Sequence, residues 1–324
     1  MNRNMMVLIF TFIIGIILMS GCVDEADTSG VSSDTTDMVV AVSVLPQAEF
    51  VEKIAGDNVE VIVVVPPGAD PHSYEPTPGQ LKDLSDAKMY AMVGSGLTIE
   101  DMMIDKIADL NPDMMVIDCS EGIALKEMEA HDHEEETDGD HHEEESGDVH
   151  DDGAEEHDHD HENGLDPHIW TSPANVKIMV ETIYEGLVEL DPENESVYLE
   201  NKDAYLAELD ALDEDIKATL SDKEGSSFMV YHPAWGYFAD HYGLTEVAVE
   251  IEGKEPSVKG MQNVIDEANE KGIKVIFVQS GFSTVSAQTI ANEIGGEVVE
   301  VDPLAKDYID NLAKVAEAFE KGLA

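Results

Sequence analysis

The stretch VEVIVVVPPGADPHSYEPTP, residues 59–78, joins a run of β-branched residues to a proline-rich polar loop. A nearly continuous apolar run such as 59–65 is typical of a strand that is buried on both faces in a parallel sheet. The loop contains the tripeptide Asp-Pro-His, which ends at His72, and the same tripeptide returns later and ends at His168. This repetition indicates that both histidines face the same ligand.

Seven further short apolar runs alternate with helical patterns along the chain. They occupy residues 38–44, 89–94, 114–118, 227–232, 246–251, 274–279 and 297–302. Four strands in each half predict an α/β fold of two lobes, 38–191 and 222–324, each with a four-stranded, mainly parallel sheet. Residues 192–221 lack glycine and repeat apolar side chains at helical spacing, so they predict one long rigid helix that joins the lobes.

The N-terminus is typical of an exported protein. Residues 5–19 are apolar but too few to span a bilayer comfortably, and Arg3 precedes them. We expect a signal peptide at 1–21 and lipidation of Cys22, which follows Ser-Gly as in bacterial lipoproteins; the alternative is plain cleavage with an incidental cysteine. The polar residues 22–37 then predict a flexible, lipid-anchored tether on the extracytoplasmic face of the membrane.

The charge of the chain excludes one class of partner. It carries 71 acidic and 17 basic side chains, a formal net charge of −54 at pH 7. Its one arginine, Arg3, lies in the predicted signal peptide, so the mature chain has no guanidinium to bind phosphate through two parallel hydrogen bonds. Such a chain is repelled by nucleic acid and attracts cations.

Residues 131–162 differ from the rest of the chain because they contain 17 acids, eight histidines and no base. They cannot bury enough apolar surface to offset chain entropy, so we expect disorder. Either they form weak, exchangeable metal sites or they are a solvated acidic loop, and we favour the metal sites. The auxiliary ligands would be His131, His133, His141, His142, His150, His157, His159 and His161.

Four side chains outside this tract are candidate ligands of a tight metal site. His72 follows the second predicted strand, His232 ends the fifth, Asp302 ends the eighth, and His168 lies in a loop near the lobe boundary. Parallel α/β sheets bind ligands at the carboxyl ends of their strands, so all four could face one cleft between the lobes. Three imidazoles and a carboxylate suit tetrahedral Zn²⁺, whereas Mn²⁺ prefers more oxygen; Ni²⁺ and Cu²⁺ stay chemically possible.

Other side chains near these positions have competing interpretations. Glu250 and Glu252, near the end of the sixth predicted strand, are rivals of Asp302 for the role of carboxylate ligand. His241 belongs to a predicted helix and is expected to lie on a helix face, and Trp170 is expected to pack beside the site.

Four ordered motifs resemble the metal-binding lipoproteins of zinc and manganese ABC importers, the ZnuA-like cluster A-I solute-binding proteins. They are DPHSYEPTP (70–78), DPHIWTSP (166–173), YHPAWGYFADHYGL (231–244) and VDPLAKDYIDNL (301–312). The resemblance runs from about residue 39 to the C-terminus, apart from the acidic tract. It implies two α/β lobes joined by one rigid helix, with metal buried between them. The ligands that it implies are His72, His168, His232 and Asp302.

The same resemblance bears on the metal. In this family a histidine at the third ligand position, here His232, goes with zinc, and a His-rich insertion in the first lobe is typical of zinc members. Gln279 stands where the family often has a glutamate, which reduces the negative charge around the cleft.

We therefore expect an extracytoplasmic, monomeric zinc-binding protein, not an enzyme, that delivers Zn²⁺ to an ABC permease driven by a cytoplasmic ATPase. One alternative is a secreted zinc-dependent hydrolase, in which three ligands leave a position for water. The other is a metal-buffering protein that acts through its His-rich tract.

Overall fold

Two parallel sheets form the framework of the protein. The computed structural model describes residues 38–128, 164–250, 254–280 and 284–323, all of which belong to one compact unit. The predicted signal peptide and tether and the His-rich tract lie outside the described residues.

Both sheets have four strands in the same spatial order. The first is arranged β2-β1-β3-β4 and consists of β1 (Met38–Val42), β2 (Val59–Val63), β3 (Met89–Met92) and β4 (Met115–Asp118). The second is arranged β6-β5-β7-β8 and consists of β5 (Ser227–Val230), β6 (Thr245–Ala248), β7 (Val275–Gln279) and β8 (Glu297–Val301). Every neighbouring pair is parallel, which confirms the predicted α/β fold with one four-stranded sheet in each lobe.

Most of the predicted strands are longer than the observed ones. The run 59–65 shows the physical reason. The strand β2 ends at Val63, although Val64 still donates a backbone hydrogen bond to Val42 at the end of β1 at 2.9 Å and Val65 donates one to Ser43, just after β1, at 3.1 Å. Pro66 follows and has no N–H, so the ladder cannot continue.

Nine α-helices connect and cover the sheets in the described part of the chain. They are α1 (Leu45–Ala55), α2 (Pro78–Leu84), α3 (Thr98–Leu110), α4 (Pro173–Leu190), α5 (Glu195–Thr219), α6 (Gly236–Tyr242), α7 (Val258–Lys271), α8 (Val285–Ile294) and α9 (Tyr308–Gly322). The long helix α5 lies within the predicted linking helix, and one 3₁₀ turn precedes it.

Both faces of the second sheet are buried, which explains its continuous apolar strands. Phe228 and Phe277 pack on Phe319 of α9, with ring centroids 4.5 and 4.6 Å apart. Met229 and Ile276 point to the opposite face, where they join a separate apolar cluster with α7 and α8. Side chains alternate between faces along a strand, so helices on both sides leave no face for water.

The helix α5 packs against both lobes and makes polar contacts with each. Tyr205 donates its hydroxyl to one oxygen of Glu49 in α1 at 3.0 Å, and the other oxygen accepts the backbone N–H of Tyr308 in α9 at 2.6 Å. Further along α5, Asp213 lies 2.8 Å from Nε2 of His241 in α6. His241 therefore lies on a helix face, as predicted, with a structural partner.

Gly296 allows β8 to enter the sheet beside β7. A Cβ atom at this position would lie 2.1 Å from the backbone oxygen of Lys274, which accepts the Glu297 N–H at 2.9 Å. We expect Gly296→Ala to lower the free energy of unfolding by about 1–3 kcal/mol because the backbone must shift. Urea unfolding followed by circular dichroism measures the change. In the control Gly79→Ala, the nearest atom is 3.8 Å away, and equal losses in both variants would refute the steric explanation.

Candidate metal centre

Three imidazoles meet at the carboxyl ends of the two sheets. His72 lies in the loop after β2, His168 directly precedes the 3₁₀ helix Ile169–Thr171, and His232 follows β5 by two residues. Their ring centroids are 5.1–5.3 Å apart, and one ring nitrogen of each lies within 4.8 Å of the others. The Nε2 atom of His168 is 3.2 Å from that of His72 and 3.4 Å from that of His232.

Carboxylates orient two of these rings. An oxygen of Asp166 lies 2.8 Å from His168 Nδ1, and an oxygen of Glu250 lies 3.0 Å from His232 Nδ1. An ionised carboxylate accepts hydrogen bonds and donates none, so these contacts assign the ring proton to Nδ1 and a lone pair to Nε2. The two lone pairs face each other across 3.4 Å, and a cation relieves their mutual repulsion.

Each Asp-Pro-His loop uses its aspartate to fix the backbone of its histidine. Asp70 accepts the N–H of His72 at 2.9 Å, and Asp166 accepts the N–H of His168 at 3.0 Å. The intervening proline restricts φ, so each loop is a stiff turn. The second oxygen of Asp70 accepts the Ser73 hydroxyl at 2.8 Å, so Asp70 stabilises its loop, whereas Asp166 also contacts the ring.

The environment of His72 and His168 favours their neutral form. Burial, and then the neighbouring His168 and His232, lower the pKa of His72 to about 3. Burial also lowers the pKa of His168, although the hydrogen bond to Asp166 opposes the shift. Burial is the largest single influence on Asp166 and would raise its pKa, but the hydrogen bonds from His168 and the charges of His168 and Lys126 together lower the pKa below its usual value. Neutral rings with an available lone pair are the form of histidine that binds metal ions.

The three rings lie in a narrow cleft with walls from both lobes. Gln279, at the end of β7, and Pro303 and Leu304, after β8, form the wall of the second lobe. Trp170 is buried with its ring centroid 5.3 Å from that of His168, and its indole N–H donates to the carbonyl oxygen of Pro303 at 2.7 Å. Trp170 thus packs beside the site, as predicted, and holds the two walls together.

The carboxylate of Asp302 lies outside the imidazole cluster. The group of ligand-type atoms found among the described residues contains the three histidines alone. Asp302 directly follows β8, where its Oδ1 atom accepts the N–H of Leu304 at 2.8 Å, and burial raises its pKa although that hydrogen bond opposes the shift. Of its two rivals, Glu250 orients His232, and Glu252 lies outside the described residues.

The remaining predicted site residues cannot be located in the structure. Cys22 and all eight histidines of the 131–162 tract lie outside the described residues. Among the helices that are described, none combines the length and apolar character needed to cross a bilayer.

A buried polar cluster behind Asp166 was not predicted from the sequence. Tyr237 donates its hydroxyl to the Asp166 carbonyl oxygen at 3.1 Å. Glu246 accepts the N–H groups of Ala234 and Trp235 at 3.2 and 2.9 Å, which fixes the loop that follows His232. Burial raises the pKa of Glu246 to about 8. The one available signal was an acidic residue inside an apolar strand, which does not reveal its partners.

The fold and the site define a two-lobed binding protein with a buried imidazole cluster between its lobes. Residues 40–322 match the model of the ZnuA family, described as zinc-uptake complex component A, periplasmic. The chain belongs to this family, whose members are metal-binding solute-binding proteins of zinc and manganese ABC transporters and not enzymes.

Relatives of this chain are named for either metal. Manganese-binding lipoprotein MntA of Halalkalibacterium halodurans is 27% identical over 328 residues, which cover 97% of this chain and 98% of the relative. High-affinity zinc uptake system protein ZnuA of Bacillus subtilis is 28% identical over 290 residues, which cover 89% and 85%. A crystal structure of ZnuA matches with a TM-score of 0.75 and 37% identity, covering 88% of this chain and 99% of the other.

The neutral cluster predicts how acid affects the metal-free protein. Below pH ~6.5, the ordinary pKa of histidine, the unfolded chain binds protons at His72 and His168. The folded chain binds fewer protons at these two residues, because burial lowers both pKa values. The unfolded state then holds more protons than the native state, so the free energy of unfolding decreases as the pH falls.

His72→Asn removes one of these groups. We expect the variant to lose stability less steeply between pH 6.5 and pH 5, by at most ~1.4 kcal/mol per pH unit. Urea unfolding at several pH values in the presence of a chelator measures both slopes. Parallel slopes for the wild type and the variant would contradict the proposed burial effect.

Proposed function

We propose that this protein captures Zn²⁺ outside the cytoplasm and delivers it to an ABC importer. The observation that carries the proposal is the convergence of His72, His168 and His232, whose ring nitrogens lie within 4.8 Å of one another. Imidazole nitrogens are common ligands of tetrahedral zinc, whereas Mn²⁺ prefers sites with more oxygen. In this proposal the ion is cargo, and the protein binds and releases it unchanged.

The names of the relatives leave the metal open, because one relative is named for manganese and another for zinc. The donor atoms of the cluster favour zinc. A ZnuA deletion mutant whose crystal structure has zinc bound is 37% identical to this chain, with a TM-score of 0.75, and this similarity supports the choice.

Asp302 is the proposed fourth ligand. Its position directly after β8 places it in the loop whose next two residues, Pro303 and Leu304, line the cleft. Its Oδ1 atom accepts the N–H of Leu304 at 2.8 Å, so Oδ2 is the oxygen that would coordinate the ion. The raised pKa of Asp302, caused mainly by burial, is the direction expected of a carboxylate that lacks a nearby cation.

The remaining parts of the proposal concern anchoring and delivery. A signal peptide at 1–21, lipidation of Cys22 and a tether at 22–37 would hold a monomer at the extracytoplasmic face of the membrane. The partners are a permease and its cytoplasmic ATPase. Because α5 packs against α1 and α4 of the lobe 38–191 and against α9 of the lobe 222–324, we expect small lobe movements during release.

Single-histidine variants test the tight site. We expect His72→Ala and His232→Ala each to weaken zinc binding by at least about 100-fold, since each removes a ligand. His241→Ala, which removes an imidazole of α6 that is hydrogen-bonded to Asp213 of α5, is the matched control and should keep the wild-type affinity. Competition with a chelator of known affinity gives the dissociation constants. Retention of one tightly bound zinc by His72→Ala would refute the proposed site.

Deletion of 131–162 separates capture from buffering. We expect the shortened chain to retain one tight zinc and to lose several weaker ones, because the tract contributes exchangeable ligands. Mass spectrometry of the native protein after dialysis against a moderate chelator counts the bound metals. If the tight zinc disappears with the tract, metal binding belongs to the tract and the capture proposal is wrong.

A further inference from the structure

We propose that Gln279 is a specificity-determining residue of the cleft, whose neutral amide favours Zn²⁺ over Mn²⁺ by withholding a charged oxygen from the ion. The inference rests on the proposed capture of Zn²⁺ and concerns the same site. The three histidines alone discriminate only partly between the two ions, and Gln279 of the second lobe would supply the remaining discrimination.

The topology brings Gln279 to the cleft. Gln279 is the last residue of β7 and pairs with Val301, the last residue of β8 and the neighbour of Asp302. The carboxyl ends of both strands therefore lie at the same edge of the second sheet. At that edge Gln279 lines the cleft together with the imidazoles of the first lobe.

The side-chain oxygen of Gln279 accepts no hydrogen bond from the described residues. Its amide has no hydrogen-bond partner among the described residues. The acidic side chains around the rings differ in this respect, because Asp166 and Glu250 contact imidazoles and Asp70 and Asp302 accept backbone N–H groups. Among the described residues, Gln279 therefore lines the cleft with an amide that has no hydrogen bond to lose, whereas the proposed ligand Asp302 keeps one oxygen bonded to the backbone.

The charge of the side chain at position 279 decides which of the two ions is bound more tightly. An amide and a carboxylate of the same length have nearly the same shape, but the carboxylate carries one negative charge. Mn²⁺ favours carboxylate oxygen, whereas Zn²⁺ already obtains three ligands that suit it from imidazoles. A glutamate at position 279 would therefore add more to manganese binding than to zinc binding, and the glutamine that is present preserves the preference for zinc.

The test compares Gln279→Glu with the wild-type full-length chain. Dissociation constants for Zn²⁺ and Mn²⁺ are measured at neutral pH, zinc by chelator competition and manganese by calorimetry. We expect the ratio of the manganese constant to the zinc constant to fall by about tenfold or more in Gln279→Glu. Gln279→Ala, which adds no charge, should keep a ratio close to that of the wild type.

Gln288→Glu is the matched control for charge. Gln288 is exposed on α8 and contacts Asn292, so the substitution adds the same charge away from the cleft. A remote charge attracts both ions equally, and the ratio should not change. If Gln279→Glu does not fold, as judged by circular dichroism, the shorter Gln279→Asp replaces it with the same expectation.

The outcomes separate this inference from the proposed function. If the wild type retains zinc but the ratio is the same in Gln279→Glu and Gln288→Glu, the role of Gln279 is refuted and zinc capture stands. If the wild type binds neither ion tightly, the proposed function itself fails. A fall in the ratio that is confined to the cleft variant supports the assignment.

Discussion

The site depends on two carboxylates that hold the Nδ1 atoms of His168 and His232. Asp166 and Glu250 fix the ring protons on the outer side of the rings, so the two Nε2 lone pairs face each other across 3.4 Å. Burial lowers the pKa of His168 and so disfavours the protonation of that ring, which would otherwise relieve this repulsion. The fold thus holds ligands in a geometry that a divalent ion stabilises, and the ion need not order them when it binds.

The surrounding structure keeps the ligand loops in this arrangement. Trp170 joins the loop after β8 to the segment that carries His168, and Tyr237 joins α6 to the backbone of Asp166. At the other side of the molecule, Glu49 bonds α5 and the start of α9 to α1. Contacts of this kind between lobes oppose a wide hinge movement. Release of an ion therefore fits better with a local shift of the ligand loops of one lobe.

The sequence predicted the parts of this arrangement that follow from topology. Continuous apolar runs indicated parallel strands, whose carboxyl ends place His72 after β2 and His232 after β5, whereas His168 comes from a loop that precedes a 3₁₀ helix. The orientation of the Asp302 carboxylate was not predictable in this way. A carboxylate after a strand competes for nearby backbone N–H groups, as Asp302 does with that of Leu304, and the choice depends on turn geometry that sequence spacing does not encode.

The net charge of −54 and the cleft act on an ion at different ranges. Surface carboxylates attract every divalent cation, and salt screens this attraction beyond ~8 Å, so the overall charge cannot distinguish zinc from manganese. Selection must come from atoms in contact with the ion. Asp166, Glu250 and Asp70 accept hydrogen bonds from imidazoles or from the backbone, so they contribute negative potential, and the proposed carboxylate ligand is Asp302 alone. An acidic protein can thereby present a nitrogen-rich cleft, in which the ligands decide the metal and the surrounding charge raises affinity for any cation.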